Sequence, residues 1–70
     1  MRYAIIIEKS ADGYGAYAPD LPGVGVVGDT AEEVRTLIRQ AIDFHLEGMR
    51  EDGQPVPLPS VEIDYVETAA

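Results

Sequence analysis

The feature that most constrains the fold is one long helical pattern in the middle of the chain. Thr30-Ala31-Glu32-Glu33 forms a capping box, in which a hydroxyl and a carboxylate accept hydrogen bonds from amides at the helix start. Gly53 is a stop signal and Pro55 prevents continuation, so the pattern predicts a helix over about residues 30–52. The side chains that recur at helical spacing form one apolar stripe: Val34, Leu37, Ile38, Ala41, Ile42, His45, Leu46 and Met49.

Three short strand patterns precede this helix. Residues 3–9 and 14–18 flank the turn-forming residues 10–13 and predict a β-hairpin. The two prolines of residues 19–23 lack amide donors, so this segment must leave the sheet. Residues 24–27 then predict a third strand, in which Gly25 leaves one face without a side chain.

A fourth strand pattern follows the helix. Residues 54–60 carry three prolines at alternate positions and predict an extended connector. After it, Val61, Ile63 and Tyr65 alternate with Glu62 and Asp64, as in a half-exposed strand.

The order β-β-β-α-β predicts an α+β fold in one domain spanning residues 1–70. The helix between the third and fourth strands allows the last strand to return parallel to the first. We therefore expect a sheet of order 3-2-1-4, with the first strand central and the helix packed on one face.

Size and charge restrict the partners of the chain. A domain of 70 residues without cysteine is marginal alone, so we expect a homodimer or homotetramer. The candidate interface is the edge of the third strand together with one helix residue: Val24, Val26, Val27 and His45. A net charge of −8 disfavours direct nucleic-acid binding and permits a basic partner. The N-terminal apolar run is too short for a signal peptide or membrane span, so we expect a cytoplasmic protein.

The residues offer little catalytic chemistry, and we predict neither a cofactor nor a metal site. His45 is the only histidine and could act as a general base, but we interpret it as structural because no nucleophile is spaced to partner it. Glu8, Glu47 and Asp64 lie on the first strand, the helix and the last strand. Two-metal nucleases need carboxylates that converge, and Glu47 lies on the polar helix face, so we interpret all three as solvated.

Several spaced motifs together resemble the HicB-like antitoxin family. They cover nearly the whole chain, and it is their combination that is specific. The motifs are Asp12-Gly13-Tyr14 with Ala16, Pro19-Asp20-Leu21-Pro22-Gly23, Gly28-Asp29-Thr30 with Glu33, Ala41-Ile42, and Gly53-Gln54-Pro55-Val56-Pro57 ending at Pro59-Ser60. The chain departs from common family patterns at Val24, where many relatives have cysteine, and at Val34, where alanine is frequent.

The resemblance implies a partially RNase H-like domain that binds and neutralises a HicA-type toxin, a small basic ribonuclease. Longer members carry an added DNA-binding domain, which the present sequence does not include. Two other readings stay open: a homo-oligomer of the same family without a toxin, and a vestigial nuclease. For a toxin, we expect contacts from residues around the second strand and the turns beside it: Tyr14, Tyr17, Asp20, Leu21 and Asp29.

Overall fold

The computed structural model describes residues 1–70 and contains three strands followed by one helix. The strands are β1 (Ile6–Ser10), β2 (Gly13–Tyr17) and β3 (Gly25–Gly28), and the helix is α1 (Ala31–Glu51). The strands form an antiparallel sheet in the order β1-β2-β3. The α+β class and the long helix predicted from the sequence are therefore confirmed. The helix is not apolar enough to cross a membrane.

The strand register defines two faces of the sheet. Ile7, Ala16 and Val26 lie opposite one another across the three strands, and Ala16 is buried beneath α1. Because side chains alternate along a strand, the neighbouring positions point away from the helix. We call that side the outer face, and its residues are Ile6, Glu8, Gly15, Tyr17, Gly25 and Val27.

The core lies between α1 and the inner side of the sheet. Val34 and Ile38 are almost completely buried, as the helical spacing of the apolar stripe predicts. Burying a side chain of this size stabilises the fold by about 1.5–3 kcal/mol. The seven buried residues are Ala16, Ala18, Leu21, Val24, Val34, Ile38 and Leu46.

Both ends of α1 are capped as the sequence predicts. The Glu33 amide donates to Thr30 Oγ1 at 3.0 Å, and Glu33 Oε1 accepts from the Asp29 amide at 3.1 Å. At the other end, the Gly53 amide donates to the Arg50 carbonyl and the Gln54 amide to the Met49 carbonyl, at 3.1 and 2.9 Å. These two bonds form a Schellman motif, which Gly53 permits with a φ of 70°.

The β1–β2 turn depends on glycine at position 13. Gly13 has a φ of 153°, and a Cβ atom there would lie 2.5 Å from the Gly28 carbonyl oxygen. Any larger residue would force the hairpin away from the end of β3. The sequence therefore sets the close approach of this turn to β3.

The predicted fourth strand does not form, and this corrects the expected order 3-2-1-4. Residues 61–70 are exposed and belong to no strand, so β2 is central and β1 is an edge strand. The connector, residues 54–60, crosses the end of the sheet instead of turning beside β1. Tyr3 Oη donates to the Pro57 carbonyl oxygen, and Asp20 binds the amides of Ser60 and Val61. These contacts direct the chain away from the outer edge of β1.

Candidate partner-binding surface

The connection from β2 to β3 folds inward and completes the core. The Leu21 amide donates to the Ala18 carbonyl oxygen at 3.0 Å, and the Val24 amide to the Leu21 carbonyl oxygen at 3.1 Å. Leu21 is 1% exposed and Val24 is 8% exposed. The expectation that Leu21 contacts a partner and that Val24 lines an oligomer interface is corrected, because both side chains are enclosed by this chain.

The outer face of the sheet carries a cluster of apolar side chains. Tyr17 is 44% exposed and Val27 is 81% exposed, with Ile6 beside Tyr17 on β1. Glu8 adds one carboxylate opposite Gly15. An exposed cluster of apolar side chains of this kind is typical of a surface that contacts another protein.

Two outer-face glycines leave space beside the Tyr17 ring. A Cβ atom at Gly15 would lie 3.6 Å from the Val26 carbonyl oxygen, and one at Gly25 would lie 3.4 Å from that of Ala16. Both distances are ordinary van der Waals contacts. Neither the packing nor the backbone of this chain therefore requires glycine at these two positions, unlike position 13.

A second apolar surface lies between the β2–β3 connection and the C-terminal half of α1. We call it the Phe44 groove, because Phe44 stands on its rim and is 80% exposed. His45 also lines it and is half-buried. The other main lining residues are Gly23, Val24, Gly25 and Met49. Sequence reasoning did not select Phe44, although its position at the edge of the apolar stripe was the available signal.

Asp20 is engaged within the chain. Its carboxylate accepts from Ser60 Oγ at 2.7 Å, from the Ser60 amide at 3.0 Å and from the Val61 amide at 3.2 Å. The hydrogen bond from the Ser60 side chain, followed by that from the Ser60 amide, lowers the pKa of Asp20 below its ordinary value of 3.8. Asp20 is thus the anchor of the connector, a contact 40 residues away in sequence that the turn motif alone does not reveal.

The structure separates the remaining predicted site residues into two groups. Tyr14 and Val26 are half-buried and pack against the core, so they contribute little to either apolar surface. Tyr17 and Val27 share the outer face, and Asp29 is exposed just before α1. Tyr17 comes from the set predicted to contact a partner, and Val27 comes from the set predicted to line an oligomer interface. The two sets therefore overlap on the outer face.

The three carboxylates considered for nuclease chemistry lie on different parts of the surface. Glu8 belongs to the outer face, Glu47 is exposed on α1, and Asp64 is exposed beyond the connector. Asp64 Oδ1 accepts a hydrogen bond from the Tyr65 amide at 2.7 Å. No group of three or more His, Cys, Asp or Glu side chains is close enough to hold a metal ion.

Comparison of the sequence with characterised families supports the motif resemblance. Residues 3–70 match a family model described as the HicB-like antitoxin of bacterial toxin–antitoxin systems. Antitoxin HicB 1 of Photorhabdus laumondii is 36% identical over 69 residues, covering 96% of this chain and 44% of the relative. An uncharacterised 14.9 kDa protein of Haemophilus phage HP1 is 47% identical over 66 residues, covering 94% of this chain and 50% of the relative. The chain spans about half the length of these two relatives.

A solved structure gives the same result for the fold. A chain of a HicA3 and HicB3 toxin–antitoxin complex superposes with a TM-score of 0.71 and 30% sequence identity. The match covers 86% of this chain and 70% of the other. Together with the match over residues 3–70, this shows that the chain belongs to the HicB-like antitoxin family.

Proposed function

We propose that this chain is the toxin-binding part of an antitoxin, and that it neutralises a small basic HicA-type ribonuclease by covering it. The observation that carries the proposal is the exposed apolar outer face of a chain from an antitoxin family. Binding by this face requires no catalytic group. A vestigial nuclease is disfavoured because Glu8, Glu47 and Asp64 do not share a site.

Tyr17 is the proposed anchor of the complex. Tyrosine buries a large area with few rotatable bonds and is enriched among the residues that dominate interface energies. Tyr17 lies on central β2, flanked by Ile6 on β1 and Gly25 on β3. Its side chain therefore projects from the end of the central strand, with a neighbouring strand on each side.

The outer-face glycines support approach by a partner. A Cβ atom at Gly15 would be compatible with this chain, so the missing side chain provides no internal packing. It does give a partner access to the backbone between Glu8 and Val27. We propose that Gly15 and Gly25 allow a toxin surface to pack closely against Tyr17.

Charge favours a basic partner. The chain carries 13 acidic and 5 basic residues, giving a net charge of −8. Such an excess accelerates encounter with a cationic protein through long-range attraction, and the effect weakens as salt is added. The apolar outer face supplies the short-range contacts, while the overall charge brings the partner to it.

The direct test is binding to a basic HicA-type toxin encoded beside this chain. The catalytically inactive toxin is titrated with the wild-type protein, Tyr17→Ala and Phe44→Ala in a calorimeter. We expect Tyr17→Ala to weaken binding by roughly tenfold or more, equivalent to about 1.4 kcal/mol. Phe44→Ala is the control, since it truncates an even more exposed aromatic side chain on the other apolar surface. Unchanged affinity for Tyr17→Ala, or loss of affinity only for Phe44→Ala, would reject the outer face as the binding site.

A second variant separates binding from folding. Gly15→Ala places a methyl group on the outer face without an internal clash, and alanine has less backbone freedom to lose on folding. We expect unfolding stability equal to or above wild type, together with weaker toxin binding. Equal affinity for wild type and Gly15→Ala would show that the toxin does not approach this part of β2.

A further inference from the structure

The outer face has a gap at Gly15, and the residues around this gap differ in their chemistry. Gly15 lies on central β2, opposite Glu8 of β1 on one side and opposite Val27 of β3 on the other. Tyr17 follows two residues along β2 and points to the same face. Neighbouring strands lie about 4.8 Å apart, so the backbones at Glu8 and Val27 are separated by about 10 Å, with glycine between them. A carboxylate, an aliphatic side chain and an aromatic ring therefore border the gap.

Glu8 has no cation of its own chain on the outer face. The side chain of Glu8 is exposed, and it is the carboxylate of this face. Lys9 is the next residue along β1, so its side chain points to the opposite side of the sheet. The other four basic residues lie on α1 or in the cleft between α1 and the N-terminal segment: Arg2, Arg35, Arg39 and Arg50. The positive charges of the chain are thus kept on the side away from Glu8.

This separation of charge has a consequence for a complex. A toxin surface that packs against Tyr17 and fills the gap at Gly15 also lies against Glu8, which is directly opposite Gly15. Covering a carboxylate removes its water, and this is costly unless a positive charge and hydrogen-bond donors replace the water. Since this chain brings no such group to the outer face, the partner must supply it.

We propose that the gap at Gly15 receives one arginine side chain of the toxin, with its guanidinium group paired to the carboxylate of Glu8. The inference rests on the proposed function, and it adds the chemical identity of one toxin group. A guanidinium group is planar, donates two parallel hydrogen bonds to a carboxylate and stacks on aromatic rings, so it fits these borders better than the ammonium group of lysine.

The paired arginine makes Glu8 a specificity-determining residue. The aliphatic part of the arginine packs against Val27 and Tyr17, which border the same gap. A toxin that lacks a cation at this point leaves Glu8 covered and unpaired, and it binds more weakly for that reason. The apolar contacts of the outer face then hold the toxin, while Glu8 selects which toxin is held.

The first test compares two substitutions of the same kind. Glu8→Gln and Glu47→Gln each remove one negative charge, and Glu47 is exposed on α1, away from the outer face. Titration of the catalytically inactive toxin in a calorimeter should show roughly tenfold or greater weakening for Glu8→Gln and less than about twofold for Glu47→Gln. The loss at Glu8 should persist at high salt, because a covered ion pair is screened less than the overall charge. Equal effects of the two variants would overturn the proposal.

Tyr17→Ala is measured in the same series, so that the two proposals can fail separately. If Tyr17→Ala weakens binding and Glu8→Gln does not, the arginine contact is overturned while the outer face stands as the binding site. If neither variant weakens binding, both proposals are overturned. Circular dichroism of Glu8→Gln confirms that the variant is folded, as expected for an exposed side chain.

The second test identifies the toxin residue by double-mutant cycles. Each arginine and lysine of the inactive toxin is replaced by alanine in turn, and binding is measured to the wild-type chain and to Glu8→Gln. We expect one arginine whose loss weakens binding to the wild-type chain by roughly tenfold but changes binding to Glu8→Gln by less than about threefold. Independent effects for every toxin variant, or coupling to a lysine alone, would overturn the assignment of an arginine.

Discussion

Two regions of the chain, residues 1–53 and residues 54–70, contain similar apolar patterns. They differ in the contacts that attach them to the fold. In the first region, every element contributes apolar side chains to the space between sheet and helix. In the second, Val56 packs against the core, and the chain is otherwise anchored by polar contacts to Tyr3 and Asp20. Beyond Val61, the side chains are exposed. Alternating apolar residues therefore produced a strand only where neighbouring strands and a helix cover them.

The difference shows what a strand pattern can specify. Isolated strands gain little, because their backbone groups need partners and their apolar face needs a second layer. Ile7 obtains both from Ala16 and α1. Ile63 obtains neither within this chain, although its local sequence is equally suited to a strand.

The largest expected difference is in stability. Ile38→Ala should lower the free energy of unfolding by about 2–5 kcal/mol, because it removes a buried side chain and leaves a cavity. Ile63→Ala is the same substitution among the exposed residues 61–70 and should change the free energy by less than about 0.5 kcal/mol. Urea denaturation followed by circular dichroism measures both. Similar losses for the two variants would show that residues 61–70 belong to the folded core.

A smaller effect is expected at the helix start. Thr30→Ala removes the hydroxyl that accepts from the Glu33 amide, and should cost about 1 kcal/mol of stability. Thr36→Ala is the control within the helix, where the hydroxyl donates to the Glu32 carbonyl oxygen and caps no free amide. The same denaturation experiment compares them. If Thr36→Ala were the more damaging change, the capping box would not be the feature that fixes the start of α1.

A local effect is expected at Asp20. Asp20→Ala removes the acceptor for the amides of Ser60 and Val61, so hydrogen exchange of both amides should accelerate. The exchange of core amides such as that of Ile38 should remain as in wild type. Glu47→Ala removes an exposed carboxylate from α1 and serves as the control. Faster exchange throughout the sheet in Asp20→Ala would indicate that the connector supports the whole fold.

The anchor should also respond to pH. Hydrogen bonds lower the pKa of Asp20 in the folded chain below 3.8, so the anchor is fully present above that value. It should be lost as the pH falls through the lowered pKa, because protonation removes the charge that binds Ser60 and Val61. NMR spectra of these two amides between pH 6 and pH 2 follow the change. Amide shifts that do not move with acid would show that Asp20 is not their partner in solution.

Much of the fold was accessible from local sequence. The Thr30 cap, the apolar stripe and the Gly53 stop define α1, since each acts within a few residues. The hairpin and its faces also follow from short-range rules, whereas the close contact that requires glycine at position 13 comes from Gly28 on β3. Family membership was recognisable because the spaced turn and cap motifs span nearly the whole chain.

The candidate site was predicted less well, since side-chain exposure depends on what packs above each residue. Leu21 sits in a turn that looks exposed in sequence, yet the turn folds over the core and buries it. The odd spacing of Tyr14 and Tyr17 places them on opposite faces of β2, but only the position of α1 decides that the Tyr14 face is the covered one. Phe44 lies one step beyond the apolar stripe and remains exposed.

The sequence by itself determined the local elements: the capped helix, the β1–β2 hairpin and the interruption by prolines before β3. The tertiary structure alone decided the path of the last 17 residues, 54–70, and with it the edge position of β1. The physical reason is that a helix satisfies its backbone groups from within, whereas a strand depends on partners distant in sequence. Asp20, 40 residues before Ser60, supplied the contact that directed this segment away from β1.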